Sequence, residues 1–164
     1  MSFTYKPEIG SLSEVPNGSW QSLVDQSAGA TPNVELIVGF DSIDFERGIR
    51  LQSGNRLYVD NSGLYNIQYA LQFYNSGGGG GSAHAHVWFK VNGNNVAETG
   101  TRQSVTTNSE YQVSSRDYFL TLVAGDYVQL AWSTNHTNIG LYHEAAASPV
   151  PVVASAVLTM TQVG

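Results

Sequence analysis

The chain is 164 residues and 17.7 kDa, enough for one domain that buries its own core. Its 7 basic and 13 acidic residues give a net charge of -6 and a pI near 5.0. That balance argues against a nucleic-acid binder or an anionic-membrane binder, since both need positive charge facing phosphates. With 41% hydrophobic residues, 12% charged and no cysteine, the composition excludes a disordered chain, a disulfide scaffold, a thiol nucleophile and every thiolate metal site.

Residues 1–32 read as an extended N-terminal arm and lead-in segment, with Phe3, Tyr5, Ile9, Leu12, Val15 and Trp20 at irregular spacing among prolines. Trp20–Ser27 is the nearest approach to a helix and is too short to stand alone. From residue 33 onward, period-two alternation dominates. It predicts strands at Glu35–Phe40, Arg47–Gln52, Arg56–Asp60, Leu64–Tyr74, His84–Val91, Tyr111–Val123, Tyr127–Thr134, Ile139–His143 and Val152–Val163. Turn chemistry separates them at Ser53-Gly54-Asn55, Asp60-Asn61-Ser62-Gly63, Asn92-Gly93-Asn94 and Ala124-Gly125-Asp126. In the longest run, Tyr65, Ile67, Tyr69, Leu71 and Phe73 form the row expected in the core. Leu64, Asn66, Gln68, Ala70 and Gln72 form the mixed opposite row. Strands at this spacing, without a helical stripe, predict an all-β sandwich or barrel over residues 33–164.

Motifs for chemistry are sparse. His84 and His86 share a strand face, with Gly78 upstream, and so match the opening of the cupin metal motif. The glutamate that motif needs after three or four further residues is replaced by Lys90 or Val91. A lysine is the wrong charge beside a cation, so no metal or cofactor is expected. His143-Glu144-Ala145-Ala146-Ala147 lacks the second histidine of a zinc-protease helix, and no Gly-x-Ser-x-Gly elbow exists. The five-glycine run Gly77–Gly81 has no following Lys-Ser/Thr and reads as a loop tip. Asp41, Asp44, Glu46, Asp117 and Asp126 read as turn and strand-edge carboxylates, Asp126 as a turn-former bonding nearby amides. No enzyme is expected. Trp88, with His84 and His86 beside it, is the candidate ligand surface, because aromatic faces stack on sugar rings. The alternative is that these rings pack at a sheet surface or a subunit interface.

Four stretches in order carry a resemblance: Ser62-Gly63-Leu64-Tyr65-Asn66-Ile67, then Trp88-Phe89-Lys90-Val91-Asn92-Gly93, then Phe119–Val128 with its Ala-Gly-Asp turn, then the final strand Ala156–Val163. They resemble the tumour-necrosis-factor-like and complement-globular-head jelly rolls. Gly63–Gln68 and Ala124–Ser133 are most similar to tailed-bacteriophage virion proteins of the cyanophage type. The resemblance implies a jelly-roll sandwich of about eight to ten antiparallel strands, assembled as a homotrimer, without catalysis. It further implies a virion protein made in the host cytoplasm. Because no collagen or coiled-coil stalk accompanies the jelly roll, a head decoration (cement) protein meeting the major capsid protein is expected ahead of a tail-fibre tip recognising host glycans. On that reading the mixed face, Leu64, Asn66, Gln68 and Gln72 with Tyr118, Leu120 and Leu122, is the candidate trimer interface. Phe3, Tyr5, Ile9, Leu12 and Val15 are the candidate capsid-contacting arm.

Overall fold

The computed structural model describes residues 15–77, 82–106 and 111–164. Fourteen strands are formed among them, in chain order β1 (Asn17–Ser22), β2 (Gln26–Ser27), β3 (Leu36–Ile37), β4 (Ser42–Arg47), β5 (Ile49–Gln52), β6 (Arg56–Val59), β7 (Gly63–Asn75), β8 (His84–Val91), β9 (Asn94–Asn95), β10 (Thr101–Ser104), β11 (Gln112–Leu122), β12 (Tyr127–Thr134), β13 (Ile139–Leu141) and β14 (Ala156–Gln162). They make two antiparallel sheets. The first runs β11-β7-β14-β1-β4, with β13 and β2 continuing from the far end of β7. The second runs β10-β8-β12-β6-β5, with β3 beside β12 and β9 beside β8. No α-helix occurs among the described residues.

The long central strand behaves as its alternation requires. Tyr65, Ile67, Tyr69, Leu71 and Phe73 are all buried, while Leu64 and Gln68 are exposed and Asn66, Ala70 and Gln72 half-buried. Facing them across the sandwich are Val87, Phe89, Val128, Leu130 and Trp132 of the second sheet. Phe73 packs tilted on Trp132 at 5.8 Å between ring centroids, and Phe89 meets the edges of Tyr69 and Tyr118.

Three elements correct the sequence reading. The lead-in segment is not outside the body: β1 lies between β14 and β4, and Trp20 is fully buried. Its indole lies over Gly18, where an added Cβ would come within 2.3 Å of the ring. Asn-Gly-Ser-Trp-Gln-Ser carries little β-propensity, so this strand exists through burial of one large ring and two paired neighbours. β4 was unanticipated for a similar reason, since alternating charges in Ser42–Arg47 mask an edge strand. The last strand starts at Ala156 and not at Val152. Before it, Glu144 bridges Val153 and Ala147 bridges Val150 in a folded-back excursion.

The two motif turns lock together. Asn92 and Gly93 take positive φ (51° and 80°), the conformation of an Asn-Gly hairpin turn between β8 and β9. Asp126 accepts from the Val123 amide at 2.8 Å and from Asn92 Nδ2 at 2.7 Å. Asn92 Oδ1 accepts in turn from the Tyr127 amide. Asp126 is thus a turn-former, as its position suggests, and also the clasp between two hairpins.

Candidate functional site

Two outward faces carry the residues singled out by sequence. The first is the outer face of β11-β7-β14-β1-β4. Register fixes its cross-strand rows: Phe119, Asn66, Thr161 and Asn17 stand in line, and Asp117, Gln68, Thr159 and Ser19 in the next. Gln68 donates to Asn66 Oδ1 at 3.1 Å. The polar centre is bordered by exposed Leu64, Val113, Phe119, Val123 and Val163, with Phe119 at 59% exposure. A shallow depression of about 390 Å³ lies on this face between Ala70, Gln72 and Val113 on one side and Val152–Ala154 on the other.

Part of the expected interface is corrected here. Leu64, Asn66, Gln68 and Gln72 do share this face. Tyr118, Leu120 and Leu122 do not: they are turned inward, with Leu122 1% exposed and the other two packed against the core. Directly opposed residues of an antiparallel pair share a face, and the register sets Tyr118 opposite Ile67 and Leu120 opposite Tyr65. Their places on the outer face are taken by Val113, Ser115, Asp117, Phe119 and Thr121. Both parities of β11 hold apolar residues, so alternation alone could not choose between them.

Of the expected arm residues, Phe3, Tyr5, Ile9 and Leu12 lie outside the described residues. Val15 is half-buried at the start of the body, and the Pro16 carbonyl next to it accepts from the Gln162 amide at 2.8 Å.

The second face is the outside of β8. His84 and His86 stand with ring centroids 5.0 Å apart at 85°, and Trp88 follows on the same side. β10 brings Arg102 opposite His86, and its guanidinium lies 3.2 Å from His84 Nδ1. On the other flank β12 sets Ser133 opposite His86 and Ala131 opposite Trp88. These small side chains leave an open cleft of about 400 Å³ lined by His86, Trp88, Asn95, Val96, Gly100 and Ser133. The Trp88 indole donates to Asn95 Oδ1 at 2.8 Å, which fixes the ring. Burial, then His84 and Arg102, hold the His86 imidazole below its ordinary pKa. Lys90, next on this face, is nearly buried and ion-paired with Glu35. Arg102, Asn95 and Ser133 were not found by sequence reasoning, because the pairings that bring them to β8 carry no local signal.

Among the described residues, no group of three or more His, Asp or Glu side chains gathers as a metal site. His143 lies in an irregular stretch, with Nδ1 2.8 Å from Asp25 Oδ1. Three of the carboxylates singled out by sequence bond across strands and loops, while Asp117 stands exposed on β11. Asp41 accepts from the Leu23 amide, Asp44 from Ser19 and Gln21, and Glu46 from Trp20 and the Leu51 amide.

The two antiparallel sheets form a jelly-roll sandwich. The solved structure of murine APRIL, of that type, superposes with a TM-score of 0.59 over 91% of this chain and 99% of that one, at 13% identity. No family model and no curated protein sequence matches the chain.

Proposed function

We propose that the protein is a homotrimeric virion component, a head decoration protein that stabilises a bacteriophage capsid shell, and not an enzyme. The observation that carries the self-association is the outer face of β11-β7-β14-β1-β4. There Leu64, Phe119, Val123 and Val163 are exposed around a polar centre of Asn66, Gln68, Thr159 and Thr161. Apolar side chains gathered on one face of a small soluble domain mark an interaction surface, and the polar rows can pair across a threefold axis without unpaired burial. The phage setting is supported by the sequence resemblance at Gly63–Gln68 and Ala124–Ser133, and the capsid partner by the apolar residues Phe3, Tyr5, Ile9 and Leu12 ahead of the body.

The test is copy number and attachment. Hundreds of copies per purified particle place the protein on the head, whereas a few dozen or fewer place it on a fibre. Deleting residues 2–14, which leaves the Pro16–Gln162 contact and β1 intact, is expected to give a folded trimer that no longer binds heads. Retained binding by the truncated protein assigns the contact to the body.

The second reading, a tail-fibre tip recognising host glycans, is favoured by the cleft beside Trp88. A half-buried indole, fixed by Asn95 and open on one side, is suited to stack on a sugar ring.

A further inference from the structure

We propose that the outer face of β8, where His84, His86 and Trp88 meet Arg102 of β10, binds the carboxylate-bearing sugars of an acidic glycan. The inference deepens the glycan reading and does not rest on the head-decoration reading.

Charge gives the first argument. In a chain with only seven Lys and Arg residues and a net charge of -6, two imidazoles and a guanidinium converge on one exposed patch. Arg102 makes no ion pair among the described residues, and the charges acting on His86 are His84 and Arg102, both of one sign. β12 contributes only the uncharged Ser133 opposite His86, and Lys90 further along β8 is taken by Glu35.

Hydrogen bonding gives the second. His84 Nδ1 lies 2.8 Å from the Ser82 carbonyl and 3.2 Å from the Arg102 guanidinium. A protonated Nδ1 can donate to the carbonyl, and an unprotonated one can accept from the arginine. One nitrogen cannot do both. When the proton sits on Nδ1, the arginine N–H is left facing a donor, and a carboxylate would accept from both the arginine and His86.

The cleft decides for a sugar over a bare anion. Beside the cationic group the cleft is lined by the Trp88 ring, Val96 and Gly100 together with the polar Asn95 and Ser133. A sugar acid presents both a ring face and a carboxylate, and so uses both halves of the site.

The test is a binding titration of the intact protein with oligogalacturonate, its methyl ester and inorganic phosphate. Oligogalacturonate is expected to bind at least about tenfold more tightly at acid pH, where His86 takes up its proton, than near pH 8, since the protonated His86 imidazole adds a charge-assisted hydrogen bond. Arg102→Ala and esterification should each weaken binding by about tenfold or more. Trp88→Ala should weaken oligogalacturonate binding and leave phosphate unaffected. Bound oligogalacturonate should also move the NMR titration of His86 upward. Absence of oligogalacturonate binding at both pH values overturns the proposal. So does equal binding of the methyl ester, or phosphate binding as tight as oligogalacturonate and indifferent to Trp88, which would mean a simple anion only. A stoichiometric transition metal lost in His84→Ala and His86→Ala would also overturn it. Because isolated protein is used, failure here leaves the decoration reading untouched.

Discussion

Trp20 Nε1 donates to Glu46 Oε1 at 2.7 Å, joining β1 to β4 and turning the lead-in of the chain into part of the sandwich. The same carboxylate oxygen accepts from the Leu51 amide, so one glutamate ties three strands. The other fully buried tryptophan offers a contrast: Trp132 Nε1 has no hydrogen-bond partner among the described residues. A buried donor without a partner costs about 1–3 kcal/mol.

Unequal outcomes are therefore expected for the same substitution at the two sites. Trp20→Phe loses a bonded indole and leaves Glu46 with the Leu51 amide, lowering unfolding stability by about 1–3 kcal/mol. Trp132→Phe removes an unpaired donor and should cost less, the lost ring volume being offset by relief of the orphan N–H. Urea denaturation of the two variants compares them directly, and an equal loss would mean that Trp132 is in fact satisfied.

Parity along β11 separates folding from assembly. Leu122→Ala opens the core and is expected to cost about 2–5 kcal/mol. Phe119→Asp, one strand over from Asn66, should leave folding nearly unchanged and break the trimer. Gln68→Arg should do the same by placing three like charges near one axis. Sedimentation or light scattering at micromolar concentration reads the assembly. A trimer that survives both Phe119→Asp and Gln68→Arg would remove this face from the interface.

Stability should fall at both ends of the pH range, for different groups. Burial raises the folded pKa of Tyr65 and Tyr69 above the ordinary 10.0. Keeping them neutral stabilises the fold fully below about pH 10, and that contribution is lost as pH rises through the raised folded values. His86 shifts the other way: burial, His84 and Arg102 depress it below 6.5. Its contribution is full above pH 6.5 and declines as pH falls through the depressed folded value, because the unfolded chain takes up the proton first. Denaturant midpoints across pH should show both limbs. Tyr69→Phe should flatten the alkaline one and His86→Gln the acid one.

Chelation should change neither stability nor assembly. The imidazole pair on β8 faces Arg102 where a carboxylate ligand would be needed, and a guanidinium beside a divalent cation is repulsive. A lowered melting temperature in chelator, restored by zinc, would show that the two histidines do hold a metal.

The period-two pattern was sufficient for the strand class and for the buried row of β7, because side chains alternate strictly about a strand and only one of its faces was wholly apolar. It was also sufficient for the turns at Asn92-Gly93 and Gly125-Asp126, where local backbone geometry selects Asn, Gly and Asp. The sequence could not decide which parity of β11 faces inward, since Phe119 and Leu120 are both apolar and only the register against β7 distinguishes them. Nor could it recover β1, whose strand character comes from burying Trp20 between partners more than twenty residues away, or the meeting of Arg102 with His84. Those depend on which strands pair. Pairing is set by the packing of the whole sandwich, a property of distant residues that no local stretch of sequence contains.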